Sequence, residues 1–338
     1  MRKILFTSFI VLLYMACSKT VPPVATTSPT TPTTPTTPTT PTTPTTPAMP
    51  GPPDSLLGWT KYKQAVSGVF DNWFSTNNIG FITNDTFLLT STDNGVTWTP
   101  IPNTTFPAIF DFQFLDDHNG FVQGNKQLGV TRDGGATWSF SSFPSQIVWN
   151  FQFITTTTGF CYDMNGLIYK TSDAGIDWKV VYNQNDIIFC FYFLDSLNGF
   201  YMKTQSFNKT SDGGKTWQKI SNGVFPMGQQ GFFKMQFLDS LNGYSSSPIG
   251  LAKTTDGGIT WTTSLALPLY APTYVLPYFF DVNNGYCIMN KTLYKTTDGG
   301  QSWTLSCKLA SDYFSCLHMS DMNTGWAGTF GGYVLRLQ

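Results

Sequence analysis

The chain repeats itself. A polar turn, a glycine and an aromatic residue recur at Gly80, Gly120, Gly159, Gly199, Gly243, Gly285 and Gly325, spaced 40, 39, 40, 44, 42 and 40 residues apart. Between successive copies lies a second motif that ends in tryptophan: STDNGVTW from Ser91, TRDGGATW from Thr131, TSDAGIDW from Thr171, TSDGGKTW from Thr210, TTDGGITW from Thr254 and TTDGGQSW from Thr296. A period of about 40 residues is the mark of one supersecondary unit that buries its apolar face only against neighbouring copies.

Each unit reads as four strands. Strand A, such as the FQF of FQFLDDHNGF, ends at the polar turn, and strand B starts at the glycine. Strand C runs into the second motif, and strand D starts at its tryptophan. No window shows a helical period, glutamate is absent, and 16% of residues are aromatic. Four-stranded units repeated radially make a β-propeller, which leaves few exposed edges. There are seven A–B turns but six C–D motifs, and the seventh unit stops at YVLRLQ, its strand C. The missing strand D is expected from GWTKYK at residues 58–63, with Trp59 in place of the motif tryptophan. The expected fold is therefore all-β: a single seven-bladed propeller over 54–338, its last blade closed by the N-terminal strand.

A motif present on every complete blade reads as a device of the fold. Its aspartate and hydroxyl can bond turn amides, and its glycine permits positive φ. One carboxylate per turn is too few for calcium, which takes six to eight oxygens. Asp93, Asp133, Asp173, Asp212, Asp256 and Asp298 are thus assigned as structural. The pattern Ser/Thr-x-Asp-x-Gly-x-Thr-Trp is similar to the Asp-box of BNR-repeat proteins, and the whole repeat over 58–338 resembles the propeller of the photosystem II assembly factor family. That resemblance implies a fold with its Asp-boxes on the face away from the site; function does not follow from it. The family's arginine-rich patch has no counterpart, since only Arg132 and Arg336 lie in this domain. Sialidases with such boxes use an arginine triad and a Tyr/Glu pair, which two arginines and no glutamate exclude. Xyloglucan hydrolases place two aspartates between two propellers, and here there is one. His118 and His318 are the only histidines, no His/Cys cluster has zinc spacing, and neither cofactor nor metal is expected.

Ahead of the repeats, Arg2 and Lys3 precede a twelve-residue apolar run, Ile4 to Met15, and then Ala16-Cys17. The run is too short to span a bilayer and has the layout of a secretion signal. A cysteine after a small residue resembles a bacterial lipobox, though Tyr14 stands where an aliphatic residue is usual. It implies removal of residues 1–16, a lipid on Cys17, and residence in the bacterial envelope at the outer membrane, facing the periplasm or the surface. Residues 17–53 are largely Thr-Thr-Pro repeats, too poor in apolar groups to fold, and read as an extended stalk suited to O-glycosylation. Asp54-Ser55-Leu56, Asp195-Ser196-Leu197 and Asp239-Ser240-Leu241 also look like short Bacteroidetes-type O-glycosylation acceptors; turn residues are the alternative for the latter two. Sixteen basic groups against twenty aspartates after Cys17, Lys19 aside, leave no phosphate-binding surface, so nucleic acid is not an expected partner. Cys161 to Cys190 and Cys287 to Cys316 share a spacing of 29, which hints at interblade disulfides. Their columns point the same way around the ring, so buried free thiols, Cys307 included, are the expectation.

Ligand contacts are sought on strand A, the innermost of a blade. Counted back from the repeat glycine, positions six, eight and ten are apolar, as in Phe110, Phe112 and Phe114, and read as packing. Position nine holds Asp71, Asp111, Asn150, Cys190, Lys234, Leu276 and Cys316; position seven holds Trp73, Gln113, Gln152, Tyr192, Gln236, Tyr278 and His318. Such polar groups are expected to line a central channel and bond water. Trp73 alone among the tryptophans has no repeat-level explanation and is the best single ligand contact. The longest connections, 221–231 and 265–277, bring Phe225, Met227, Tyr270 and Tyr274 to the face opposite the boxes, where they would form a groove wall over Trp73 and Tyr278. The expectation is a monomeric propeller, tethered to the membrane, that binds or scaffolds an unknown protein or glycan. The alternative is a glycan-active enzyme of glycoside hydrolase type or a carbohydrate-capture protein.

Overall fold

A computed structural model describes residues 54–63, 71–74, 79–83, 87–101, 109–145, 147–183, 187–203, 206–222, 234–247, 250–266 and 275–338, with backbone only at 72–74, 247 and 266. Contacts divide the chain into Met1–Pro50 and Gly51–Gln338. The expected signal segment, Cys17, the expected stalk, Phe225, Met227, Tyr270, Tyr274 and the side chain of Trp73 lie outside the described residues.

The described strands form seven four-stranded antiparallel sheets, each in the order A-B-C-D from inside to outside. The A strands of successive blades touch one another around a closed ring. In blade 2 the strands are Ile109–Phe114, Gly120–Gly124, Gln127–Thr131 and Ser139–Ser142. Blade 7 has Phe314–Met319, Gly325–Thr329 and Tyr333–Leu337, and its outer strand is Trp59–Lys63, paired with Tyr333–Leu337. The strand Trp59–Lys63 thus completes the last blade, Trp59 facing Leu337.

The closure reaches one blade further. Ser55 and Lys308 exchange backbone hydrogen bonds at 2.8 Å, which adds a short bridge to the outer strand of blade 6. Asp54 accepts the Ala310 amide at 2.7 Å and pairs with Lys61 at 2.8 Å, and that hydrogen bond from Lys61 holds its carboxyl below the usual range. Trp59 is buried and donates its indole N–H to Ser306 at 3.1 Å.

The repeat glycine has a steric cause. The aromatic ring six residues earlier lies flat over its α-carbon: a Cβ on Gly120 would come within 2.5 Å of Phe114, and one on Gly159 within 2.7 Å of Phe153. That ring in turn stacks on the aromatic that opens strand B of the preceding blade. Phe81–Phe114, Phe121–Phe153, Phe160–Phe193, Phe200–Phe237 and Tyr244–Phe279 have centroids 3.4–3.9 Å apart and nearly parallel planes. Such pairs contribute about 0.5–1.5 kcal/mol each beyond the area they bury. The box tryptophans meet the same rings edge-on, as Trp138 meets Phe114 and Trp217 meets Phe193. Glycine, ring, ring and indole therefore form one stack that recurs between blades. The five described cysteines are buried free thiols.

Candidate functional site

The two ends of the blades differ in chemistry. At one end lie the A–B and C–D turns, joined to each other: the residue after the box aspartate sends its amide to the A–B turn of the same blade on blades 2 to 6, as Gly134 does to His118 at 2.9 Å, Ala174 to Thr157 at 2.8 Å and Gly213 to Leu197 at 2.8 Å. Inside the box of blade 2, Thr131 donates its hydroxyl to Asp133 Oδ1 at 2.8 Å and accepts the Gly135 amide at 2.8 Å. Thr137 donates its amide to Oδ1 at 2.8 Å and its hydroxyl to Oδ2 at 2.6 Å. The hydroxyl and then the amide of the residue four positions on hold Asp93, Asp133, Asp212 and Asp298 down to about 2, and shift Asp256 the same way. Blade 3 departs from this. Asp177 replaces the threonine, so Asp173 keeps the amide and Thr171 but gains no second hydroxyl. Both oxygens of the typical box are committed to its own turn.

The cations on this face are also used within the fold. Lys170, Lys253 and Lys295 each reach the A–B turn of the next blade, bonding the carbonyls of Ser196 at 2.7 Å, Val282 at 3.1 Å and Met322 at 3.0 Å. Each also lies over the first aromatic of strand B of its own blade. Arg132 bonds the Thr156 carbonyl in the same manner.

On the inner wall, several of the residues seven before the repeat glycine join neighbouring blades. Gln113 donates Nε2–H to the Phe153 carbonyl at 2.8 Å and accepts the Phe153 amide at 2.7 Å. Gln152 does the same with Phe193, and Gln236 with Phe279, all at 2.8–2.9 Å. A primary amide offers a donor and an acceptor side by side, so each glutamine forms the pair of bonds a neighbouring strand would have formed. These groups were expected to bond water; the adjacent backbone takes that place, because the next strand A lies within reach of a two-carbon arm. Tyr278 donates to the Met319 carbonyl at 2.8 Å, the equivalent point on blade 7, and meets the His318 ring edge-on at 5.9 Å. Tyr192 lies 6.4 Å from the Phe237 ring.

Residues nine before the glycine form a graded series around part of the wall. Asp71 and Asp111 on blades 1 and 2 are half-buried acids, Asn150 on blade 3 is neutral, Cys190 on blade 4 is buried, and Lys234 on blade 5 is exposed. Asp111 accepts from Asn150 Nδ2 at 3.4 Å and from the Phe112 amide at 2.9 Å. Burial pushes the Cys190 thiol up to about 12, against the opposing charge of Lys234.

The position ten before the glycine corrects the sequence reading. Phe110 and Trp149 were expected to pack; they are 44% and 53% exposed. The register of strands A and B slips at Phe110, Trp149 and Phe189, between Ile109/Asp111, Val148/Asn150 and Ile188/Cys190. Each is a bulge, and a bulge re-aims one side chain. The residue before it, Ile109, Val148 or Ile188, takes the buried place. These bulges open the A strands at the end opposite the boxes, at the mouth of the ring. Side chains of the preceding blade hold two of them: buried Gln123 donates to the Val148 carbonyl at 2.8 Å, and buried Tyr162 donates to the Phe189 carbonyl at 3.1 Å. Ile147, Ile187 and Met164 are also exposed at this end of blades 3 and 4. Among the described residues no three His, Cys, Asp or Glu side chains cluster to hold a metal ion.

Neither a protein-family profile nor a curated protein matches the chain. Solved structures do match in fold. YCF48 from Cyanidioschyzon merolae superposes with a TM-score of 0.65 at 16% identity, covering 83% of this chain and 98% of that one; YCF48 bound to a D1 peptide matches equally well. The GH74 xyloglucanase from Xanthomonas campestris gives 0.60 at 14% identity, covering 83% of this chain and 53% of its own. PorZ, a surface component of the type-IX secretion system of Porphyromonas gingivalis, gives 0.61 at 10%, covering 83% of this chain and 38% of its own. The chain is a seven-bladed propeller resembling YCF48; these identities establish fold alone.

Proposed function

We propose that this protein is an exported propeller, tethered to the bacterial envelope through a lipid on Cys17 and the Thr/Pro stalk, that binds or scaffolds a protein partner through the mouth end of its blades. One observation carries the reading: the box end commits its carboxylates and several of its cations internally and exposes only aliphatic side chains such as Ile176, Leu241 and Ile259, while the mouth end of blades 2–4 holds the rings Phe110 and Trp149 in solvent together with Ile147, Met164 and Ile187. Exposed apolar side chains that include rings mark interaction sites. That YCF48 binds a peptide, and that PorZ is a surface component, agree with a protein partner and an envelope address. Trp73, Tyr270 and Tyr274 belong to the same mouth in this reading, with Tyr278 on its wall.

The test is photo-crosslinking in cells with the full chain. A crosslinker at position 149 should capture a defined protein, whereas one at position 301, in the box of blade 6, should not. Capture only from position 301, or hydrolysis of a glycan by the purified protein, would overturn the reading. Cys17→Ser should move the protein out of the membrane fraction; unchanged membrane retention would remove the lipid anchor from the proposal.

A further inference from the structure

Two features of the mouth coincide. The first is the run of bulges on three successive blades, Phe110, Trp149 and Phe189. Phe110 and Trp149 are exposed while Phe189 is half-buried against its own blade's core, and the residues that follow the first two, Asp111 and Asn150, meet across the blades at 3.4 Å. The second is the charge series beside them: acidic at Asp71 and Asp111, neutral at Asn150 and Cys190, basic at Lys234. Lys203, at the blade 4 end of the same arc, adds to the basic side; it lies opposite Ile188 in the A–B pairing. The apolar strip thus runs between a negative end and a positive end.

That arrangement selects among ligands. Ile147 and Ile187, both exposed, lie at the same end of blades 3 and 4 as the rings. Aliphatic groups beside rings suit apolar side chains, which gain from leaving water, and aromatic residues are what protein-binding surfaces concentrate. The opposed charges add direction, since charge complementarity fixes register more than affinity. The bulges of blades 3 and 4 are held by buried Gln123 and Tyr162, so little ordering is lost there on binding.

We infer that the arc of blades 2–5 binds an extended peptide segment with an apolar centre seated on Trp149, a basic residue toward Asp111 and an acidic residue or carboxyl-terminus toward Lys234. This rests on the reading of the protein as a protein-binding module and names the chemistry of its partner.

The experiment is selection of a phage-displayed library of random twelve-residue peptides on the full-length protein, followed by affinity measurement of the enriched peptides. Enriched sequences should combine aromatic or aliphatic residues with Lys or Arg on one side and Asp or Glu on the other. Trp149→Ala should weaken them by roughly tenfold or more. Asp111→Lys should weaken them too, and replacing the peptide's basic residue by Glu should restore binding to that variant. Circular dichroism and melting of both variants would exclude unfolding as the cause. Peptides that bind with unchanged affinity to Trp149→Ala, or for which charge reversal on the peptide does not rescue Asp111→Lys, overturn the site and leave the protein-binding reading standing. A library that yields no binder, or binding of an oligosaccharide alone lost in Trp149→Ala, overturns both.

Discussion

In blade 2 the same four strands end at Asp133 on one side and begin at Phe110 on the other. At the first end a carboxylate takes two hydroxyl and amide bonds from Thr137 and a further hydroxyl bond from Thr131. At the second a phenyl ring stands 44% exposed beside a carboxylate that bonds its neighbour's amide. The first end recurs on blade after blade; among the described residues the second stands on blades 2 and 3, while the bulge of blade 4 carries the half-buried Phe189 and that of blade 7 the buried Ser315. Repetition accompanies self-sufficiency of the polar groups, and local difference accompanies exposed rings; the aliphatic residues Ile176 and Ile259 are exposed in the repeated turns. A feature that the ring needs at every interface must recur, whereas a surface that recognises one partner need exist once.

That contrast can be broken by stability measurements. The box tryptophan position should be the most sensitive, and its stand-in Trp59 is the most buried case, held to Ser306. Trp59→Ala should cost about 3–5 kcal/mol in urea unfolding, and deleting 54–63 should leave strand Tyr333–Leu337 as an open edge and yield aggregates on gel filtration. A stable monomer after that deletion would refute closure by the N-terminal strand. Next comes the glycine beneath the interblade ring: Gly159→Ala places a methyl 2.7 Å from Phe153 and should cost about 1–3 kcal/mol. An unchanged midpoint would mean that the stack can slide apart.

Acid should act chiefly on the box end. Asp93, Asp133, Asp212 and Asp298 are held down to about 2 in the folded chain, against an ordinary 3.8, and Asp173 and Asp256 are shifted the same way. A lowered folded pKa stabilises fully above the unfolded value, so the contribution should be intact above about pH 4 and lost as pH falls toward 2. Melting temperature should drop over that window, and Asp298→Asn should make the drop shallower. A melting curve flat from pH 4 to 2 would show that the boxes do not hold the fold. The smallest effect should be at the mouth: Trp149→Ala should change stability by no more than about 0.5 kcal/mol, as for exposed positions elsewhere. A large loss there would make Trp149 a packing residue and erase the contrast.

Much of the box end was legible in the residues. The spacing of Gly80 to Gly325 set the blade count, and six boxes against seven glycines pointed to Trp59 as the missing piece. Those signals are local: a box completes its own hydrogen bonds within seven residues, so its role shows in its own sequence. The mouth was less legible. Phe110 and Trp149 continue an apparent alternation with Phe112 and Phe151, and alternation alone assigns them to packing. A clue was present in the doublets Ile109-Phe110, Val148-Trp149 and Ile188-Phe189, where two apolar residues in succession break the period of a strand. Which of the two turns outward depends on where the register slips, and Gln123 and Tyr162 of the preceding blades hold those points.

Gln113 makes the same point from the inner wall. By its sequence it is a polar residue on an inner strand, equally suited to water, ligand or backbone. Its partner, Phe153, is 40 residues away and meets it only when blades 2 and 3 stand side by side. The sequence by itself determined the number of blades, the box turns and the closing strand, because each follows from short-range chemistry repeated at a fixed period. Tertiary structure alone decided which inner-strand groups are spent on a neighbouring blade and which rings face solvent, because both depend on contacts between segments that the period keeps one blade apart.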